Sequence, residues 1–251
     1  MYNFFVGEES RRDELFFLTG ADYNHMRNVL RMHPGETVLV SHGGETSLCT
    51  LLRYENDAAV VEIVEESYQN TELPVEIYLF QGLPKSDKLE LVIQKTVELG
   101  VFEVIPVEVH RSIVKLDEKK KALKRDRWQA IAESAAKQSK RSVIPHVSDV
   151  LSWKEALLRM GEMDVLLVPY ENENGMRVLG ETLQKIQSGM RVGILIGPEG
   201  GFEPREAEDA VRAGGVCVSL GHRILRTETA AITAVGTCML HAEMHLSKES
   251  V

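Results

Sequence analysis

The alternation of short apolar runs with amphipathic segments, which begins at Val75, constrains the fold more than any other feature of the sequence. Runs of strand length at 164–168 and 192–196 are each followed by a segment of helix length, such as 204–213. Apolar runs of this kind are typical of parallel strands that helices cover on both faces of a sheet. We therefore expect an α/β domain with a parallel sheet over residues 74–251.

The first 70 residues have a different pattern. They contain short β-branched or aromatic runs separated by Gly and Asn/Asp turns, with one predicted helix over 21–31. Several short strands with a single helix are typical of a small β-barrel. Residues 67–74 are polar, lack periodicity and end in proline, which predicts an interdomain linker. The sequence thus predicts a second domain, a barrel over residues 1–70.

Composition and short motifs exclude several classes of protein. No apolar run reaches the roughly 18 residues of a membrane helix, and the N-terminus carries acids where a signal peptide would be apolar. Three cysteines without C-x-x-C spacing disfavour a disulfide scaffold and a zinc ribbon. His241 and His245 share a helix face, but the order H-E-x-x-H is absent. We expect a cytoplasmic protein with no membrane anchor and no metal.

Charge is distributed unevenly along the chain. The formal net charge is −9, whereas residues 111–141 carry eleven Lys or Arg and four Asp or Glu, a net charge of +7. A concentrated basic segment can attract a polyanion in an acidic protein, because screening limits the effect of distant charges. A solvated helix face explains the same composition, so charge alone leaves both interpretations open.

The loop after the run 192–196 has the composition of a ligand-binding loop. It reads Gly197-Pro-Glu-Gly-Gly-Phe202, and its glycines allow the backbone to approach a ligand. It lacks the spacing of nucleotide phosphate loops, and the acids between Glu199 and Asp209 would repel a phosphate. A neutral or cationic ligand fits better: the sulfonium cofactor S-adenosylmethionine meets this condition, and NAD and ATP meet it poorly. A tight turn without a ligand is the alternative.

Two further loops follow predicted strands of the same sheet. One reads Leu220-Gly-His-Arg-Ile-Leu-Arg-Thr-Glu-Thr-Ala230 and opens the last helix, and the other begins at Pro169. Ligands of parallel sheets bind beyond the carboxyl ends of the strands, so we expect the three loops to share one site. A surface ion pair between Arg226 and Glu228 is the alternative explanation of the charges in the second loop.

These motifs resemble the bacterial 16S ribosomal RNA (uracil-N3)-methyltransferase family of the SPOUT class. The resemblance rests on Leu195-Ile-Gly-Pro-Glu-Gly-Gly-Phe202 together with the loop from Leu220 to Ala230. Gln81-Gly-Leu-Pro-Lys-Ser-Asp-Lys-Leu-Glu90 also agrees, and His25-Met-Arg-Asn-Val-Leu-Arg31 resembles the N-terminal RNA-binding barrel of the family. The resemblance covers nearly the whole chain, with one departure at His222, where the family more often has proline.

The resemblance implies a fold and a function. The fold is a SPOUT-type trefoil-knot α/β methyltransferase domain, preceded by a small PUA-like β-barrel, and the protein is a homodimer through the knotted domain. The implied activity is S-adenosyl-L-methionine-dependent methylation of N3 of a uridine in 16S rRNA of the small ribosomal subunit. The implied cofactor contacts are Pro169, Glu171, Ile196, Gly197, Gly200, Gly201, Leu220, Gly221, Ile224, Leu225, Arg226, Thr229 and Ala230.

The chemistry of the acceptor suggests roles for two further groups. N3 of uracil is a weakly acidic imide that must lose a proton, so a base or a charge-stabilising cation should lie close to it. Arg226 is the candidate for stabilising negative charge on a uracil carbonyl oxygen, and Glu228 is the candidate base. The expected RNA contacts are Arg27, Arg31, Lys85, Arg111, Lys137, Lys140 and Arg141. Simple surface salt bridging is the alternative for Arg27 and Arg31.

Two other functions remain compatible with the sequence. One is a SPOUT methyltransferase that acts on another rRNA or tRNA nucleotide. The other is a non-catalytic RNA-binding assembly factor that keeps the fold, although the intact glycine loop argues against it.

Overall fold

The computed structural model describes residues 1–114, 116–170 and 176–246. These residues form two compact units. Residues 1–72 and 136–144 make up the first unit, and the remaining described residues make up the second. A segment far along the chain thus belongs with the N-terminal residues, which the order of elements in the sequence does not reveal. No helix in the described ranges has the length and apolar character needed to cross a membrane.

The first unit is built on a curled six-stranded sheet with the order β1-β4-β5-β6-β3-β2. Its strands are β1 (Asn3–Phe5), β2 (Arg11–Arg12), β3 (Leu15–Leu18), β4 (Thr37–His42), β5 (Glu45–Glu55) and β6 (Ala58–Glu65). Strand β1 runs parallel to β4, and the other neighbours are antiparallel. Helix α1 (Gly20–Asn24) continues into a π-helical turn over His25–Val29. Phe16, Leu18 and Met26 lie in the core of this unit.

The hairpin between β4 and β5 shows why the sheet forms as it does. His42 pairs with Glu45, which leaves a two-residue turn of Gly43 and Gly44 with φ values of +58° and +87°. A two-residue hairpin of this type requires positive φ at both positions, which glycine adopts without strain.

Buried polar side chains hold the segment 136–144 within the first unit. Asn3 Nδ2 donates a hydrogen bond of 2.9 Å to the carbonyl oxygen of Arg141. Thr46 Oγ1 donates to Ser142 Oγ at 3.0 Å, and Ser41 Oγ lies 2.9 Å from Thr46 Oγ1. Because buried polar groups are costly when unpaired, this network specifies where the segment lies.

The second unit contains a seven-stranded sheet in which every pairing is parallel. Its strands are β7 (Glu76–Gly82), β8 (Glu103–Glu108), β9 (His146–Val147), β10 (Leu151–Ser152), β11 (Val165–Pro169), β12 (Arg191–Ile196) and β13 (Gly215–Val218). The order is β10-β8-β7-β12-β11-β13, with β9 beside β8.

Helices connect these strands and cover the sheet. They are α2 (Lys88–Glu98), α3 (Glu118–Ser139), α4 (Trp153–Met160), α5 (Arg177–Leu183), α6 (Pro204–Arg212) and α7 (Thr227–His245). Helix α4 begins with a capping box of Ser152 and Glu155, and α6 begins with Pro204 after a capping box of Glu203 and Glu206. The central residues of the strands are apolar, as in β7, where Ile77, Leu79 and Phe80 are fully buried, because both faces of the sheet are covered.

Candidate active site

The strand order brings the carboxyl ends of four strands to one edge of the sheet. β12 lies between β7 and β11, and β13 flanks β11. All four strands are parallel, so their carboxyl ends meet at the same edge, where ligands of such sheets bind. The loops after β7, β12 and β13 are described in full. The loop after β11 is described only at Tyr170 and Met176, and the predicted cofactor residue Glu171 lies outside the described residues.

A buried hydrogen-bond chain connects β7, the glycine loop and the start of α7. Thr227 Oγ1 donates to the carbonyl oxygen of Gly197 at 2.6 Å, and Gln81 Nε2 donates to Thr227 Oγ1 at 3.0 Å. Gln81 is fully buried at the end of β7, and Thr227 is the first residue of α7. The beginning of α7 is therefore fixed against the loop that follows β12.

The glycines at this edge have two different reasons to lack a side chain. A Cβ on Gly197 would lie 3.3 Å from the backbone of Gly201, so the loop is folded closely on itself. In contrast, Gly201 has φ +65° with nothing within 4 Å of a Cβ position, and Gly221 has φ +110° with only Met176 Sδ at 4.0 Å. The backbone at Gly201 and Gly221 is therefore open to an approaching ligand.

Lys88 joins the glycine loop to helix α7 by binding two carboxylates. Its Nζ lies 2.9 Å from Glu199 Oε1 and 3.3 Å from Glu228 Oε2. The hydrogen bond to Glu199 raises the pKa of Lys88, against the opposing effect of burial. Burial disfavours the charged form of Glu199, but hydrogen bonds from Lys88 and from the backbone N–H groups of Glu199 and Lys85 lower its pKa overall. Lys88 and Glu199 are therefore both charged at neutral pH.

The two candidate catalytic residues have contrasting surroundings. The Arg226 side chain is exposed, and no hydrogen bond or ion pair holds it among the residues that the structure describes. Glu228 is only 14% exposed in its side chain, and its Oε2 is buried. The ion pair of Glu228 is formed with Lys88, so the surface pair between Arg226 and Glu228 that the sequence left open does not form.

The other predicted cofactor residues lie on the same edge. Ile196 ends β12 and is buried, and Pro169 ends β11 and is half-buried. Ile224 is 94% exposed, the most exposed of the large apolar side chains in the described ranges. The remaining positions, Gly200, Leu220, Leu225, Thr229 and Ala230, belong to the glycine loop, the loop after β13 and the first turns of α7.

Six of the seven predicted RNA contacts have exposed or half-buried side chains: Arg27, Arg31, Lys85, Arg111, Lys137 and Lys140. Arg27 donates a hydrogen bond to Tyr23 Oη, and its guanidinium carbon lies 5.4 Å from the ring centroid of Tyr54. Arg111 Nη1 donates to the carbonyl oxygen of Gly200 at 2.9 Å. Arg111 thus lies against the glycine loop.

Arg141 must be corrected from a predicted RNA contact to a structural residue of the first unit. It is only 4% exposed, and its Nε lies 2.9 Å from both carboxylate oxygens of Glu72. A buried guanidinium that is already paired is not available to a phosphate.

Sequence reasoning missed Lys88, Gln81 and Thr227 as residues that organise the site. Lys88 lies in the stretch Gln81–Glu90 that supports the family resemblance, so a signal was present. Its partners lie more than 100 residues away along the chain, and only the strand order brings them together. In the described residues there is no group of three or more His, Cys, Asp or Glu side chains placed to hold a metal ion.

A family model described as an RNA methyltransferase domain matches residues 71–239, and one described as an RNA methyltransferase PUA domain matches residues 18–64. The chain belongs to this RNA methyltransferase family. It is 39% identical over 233 residues to ribosomal RNA small subunit methyltransferase E of Bacillus subtilis, with 91% of each chain covered. It is 33% identical over 241 residues to the protein of that name from Mesomycoplasma hyopneumoniae, covering 95% of this chain and 99% of the relative.

Solved structures agree with this assignment to the methyltransferase family. Ribosomal RNA small subunit methyltransferase E from Neisseria gonorrhoeae, bound to S-adenosyl methionine, superposes with a TM-score of 0.79 at 31% identity over 96% of this chain and 97% of that one. A methyltransferase from Legionella pneumophila in complex with the same cofactor gives a TM-score of 0.78 at 29% identity, covering 95% and 97%. The predicted fold class, a SPOUT domain preceded by a PUA-like barrel, is confirmed.

Proposed function

We propose that this RNA methyltransferase uses S-adenosylmethionine to methylate N3 of a uridine in 16S rRNA of the small ribosomal subunit. The observation that carries the proposal is that the loops after β12 and β13 lie beside the end of β11 at one sheet edge, where carboxylates and open glycine backbone are present. The names of the relatives from Bacillus subtilis and Neisseria gonorrhoeae support the cofactor and the RNA class.

The described residues fit a sulfonium cofactor. The backbone at Gly201 and Gly221 is open, and Glu199 and Glu228 supply negative charge that suits a cation. When bound, S-adenosylmethionine supplies an electrophilic methyl group on positively charged sulfur. The residues proposed to hold it are Pro169, Glu171, Ile196, Gly197, Gly200, Gly201, Leu220, Gly221, Ile224, Leu225, Arg226, Thr229 and Ala230.

The protein groups proposed for the chemistry act on the acceptor base. Glu228 accepts the proton of N3, which frees the nitrogen lone pair for attack. Arg226, exposed and without a partner among the described residues, stabilises the negative charge that develops on a uracil carbonyl oxygen. N3 lies on the Watson–Crick edge, so the base must be unpaired when it enters the site.

RNA is proposed to bind through basic residues of both units. The first unit supplies Arg27, Arg31, Lys137 and Lys140. The second unit supplies Lys85 and Arg111, which lie near the glycine loop, where we propose that the reacting base enters. Phosphate contacts position the RNA without reading its sequence. We propose the cytoplasm as the compartment, where small-subunit RNA is available.

A second copy of the chain is the proposed partner of helix α7. Near the end of this helix, Leu240 and Met244 are 53% and 68% exposed. Leu91 on the neighbouring helix α2 is 43% exposed. Large apolar side chains that are exposed on neighbouring helices are typical of an association surface.

Transfer of label from S-adenosylmethionine to ribosomal particles tests the proposed function. We expect the wild-type protein to label 16S rRNA in small subunits that lack the modification, and Glu228→Gln to lose most of this activity. An assembly factor without catalysis would bind small subunits and transfer no label. Labelling of tRNA or of 23S rRNA alone would contradict the proposed substrate.

A further inference from the structure

One ammonium group in the site serves two carboxylates that come from different parts of the chain. Lys88, the first residue of α2, lies 2.9 Å from Glu199 Oε1 in the glycine loop and 3.3 Å from Glu228 Oε2 on α7. The Lys88 and Glu199 side chains are each 29% exposed, and that of Glu228 is 14% exposed. The ion pairs therefore form at the rim of the site, where bulk solvent screens them only in part.

The two oxygens of Glu228 have different surroundings. Oε2 is buried, faces Lys88 Nζ, and accepts no hydrogen bond with good geometry from the described residues. Oε1 has no hydrogen-bond partner in the described part of the chain and is not among the buried unpartnered atoms. Lys88 thus fixes one oxygen and leaves the other available to a proton donor.

Glu199 explains how Lys88 can stay in place when Glu228 changes charge. The backbone N–H of Lys85 donates to Glu199 Oε1 and Oε2 at 3.2 and 3.3 Å, so this carboxylate is held by the loop after β7 as well as by Lys88. When Glu228 takes up a proton, the pair of Lys88 and Glu199 persists. The cluster then passes from a net charge of −1 to neutral without exposing an unpaired buried ammonium group.

We infer that Lys88 is a positioning residue for methyl transfer, which holds the Glu228 carboxylate through an ion pair at Oε2 and directs its Oε1 toward the N3 proton of the acceptor base. This inference rests on the proposed function. In the step itself, the N3–H bond breaks, the proton moves to Glu228 Oε1, and the lone pair stays on N3 for bond formation. Lys88 remains protonated throughout and touches neither the base nor the cofactor.

The charged groups around Glu228 define what a pH profile will report. Lys88 faces it from α2, and Glu199 lies on the other side of Lys88 in the glycine loop. Arg226 precedes Glu228 by two residues. Lys88 is the only ion-pair partner of Glu228 among the described residues. Removal of Lys88 would leave the partly buried carboxylate of Glu228 without its cation and with the Glu199 carboxylate nearby.

The test is the pH dependence of methyl transfer in Lys88→Met, which removes the charge and keeps most of the side-chain length. We expect kcat near neutral pH to fall at least about tenfold and its acid limb to move up by about one pH unit or more, because a neighbouring opposite charge changes carboxyl titration by about 1–3 units. Cofactor affinity, measured by calorimetry, should change by less than about threefold. Lys88→Arg keeps the positive charge and should therefore retain the acid limb of the wild-type kcat profile.

Matched controls separate positioning from general stability. Lys95→Met removes a lysine of the same helix that pairs with Glu98, away from the site, and should leave the pH profile unchanged. The kcat losses of Lys88→Met and Glu228→Gln should not multiply in the double variant, since both act through one group.

Three results would overturn the inference. They are an unshifted acid limb in folded Lys88→Met, multiplicative losses in the double variant, and a fall in cofactor affinity that accounts for the whole effect. If Lys88→Met does not fold, Lys88→Gln is measured in its place against Lys88→Arg. Wild-type protein that methylates no RNA would contradict the proposed function itself. Methylation of an unexpected uridine would leave the pH comparison fully applicable to that product.

Discussion

The loop 219–226 and the segment 136–144 both carry arginines that the sequence predicts to be functional. The two arginines differ in exposure and in ion pairing. Arg226 is exposed at the start of α7 and has no partner among the described residues. Arg141 is 4% exposed and lies against Glu72, and its carbonyl oxygen accepts a hydrogen bond from Asn3. We propose that the exposed arginine acts on a ligand, whereas the paired and buried arginine stabilises the fold of the first unit.

The largest expected effect is the loss of turnover when the exposed arginine, Arg226, is removed. Arg226→Ala should lower kcat by about 10²–10³-fold, because a donor aimed at developing negative charge contributes mainly in the transition state. The free energy of unfolding should stay within about 0.5 kcal/mol of wild type, since the side chain has no described partner. Steady-state kinetics and chemical denaturation measure the two quantities.

Arg223→Ala in the same loop is the matched control for Arg226, since this side chain is also exposed. It should change kcat by less than about threefold. A loss confined to cofactor affinity in Arg226→Ala would make this residue a binding anchor and would contradict its role on the acceptor base.

The second effect is expected on stability. Arg141→Met should lower the free energy of unfolding by about 3 kcal/mol, because it breaks a buried pair and leaves Glu72 without its main cation. Lys140→Gln, at the exposed neighbouring position, should change stability by less than about 0.5 kcal/mol. Equal free energies of unfolding for Arg141→Met and wild type in urea denaturation would show that the Arg141–Glu72 pair does not stabilise the first unit.

A third prediction sharpens the distinction between open and packed backbone. Gly201→Val should weaken S-adenosylmethionine binding by about tenfold or more in calorimetry, because it adds a side chain where the backbone is open to the ligand. Gly189→Val is the control, since Gly189 has φ +83° and equally open surroundings but precedes β12 at the opposite end of the strand. Both should lose about 1–2 kcal/mol of stability from the left-handed conformation. Equal cofactor affinities in the two variants would refute the assignment of the glycine loop.

The smallest effect is expected on RNA binding. Replacing Lys137 and Lys140 together by Gln should weaken binding to small subunits about threefold to tenfold. The salt dependence of binding should also become flatter, because a variant that makes fewer phosphate contacts releases fewer counterions when it binds. Replacing Lys119 and Lys120 by Gln makes the same charge change at the start of α3 and should have the smaller effect. If the two pairs behave alike, the basic stretch acts only through its overall charge.

Local patterns predicted most of the α/β unit because its strands are apolar on both faces. The runs at β11 and β12 and the helix after the glycine loop were found within one to two residues. Strand β5 was missed, since polar residues such as Thr46 and Thr50 interrupt its apolar pattern. Helix α4 was also missed, although Ser152 and Glu155 form a capping box that could have indicated its start.

The sequence does not predict which distant side chains form ion pairs, because the tertiary structure determines these partners. The proposed location of the site rests on loops at the ends of parallel strands, where such sheets generally bind ligands. The pairing of Lys88 with Glu228 depends on the strand order, and the burial of Arg141 depends on Glu72. Charge type and spacing alone cannot distinguish an arginine that binds RNA from one that binds a distant carboxylate.

Identification of the methylated nucleoside tests the central claim most directly. Small subunits that lack the modification are incubated with the wild-type protein and S-adenosylmethionine, and the 16S rRNA is digested to nucleosides for mass spectrometry. We expect 3-methyluridine to be formed by the wild-type protein and to be strongly reduced with Arg226→Ala or Glu228→Gln. Methylation of a ribose oxygen, a carbon atom or a base other than uracil would contradict it.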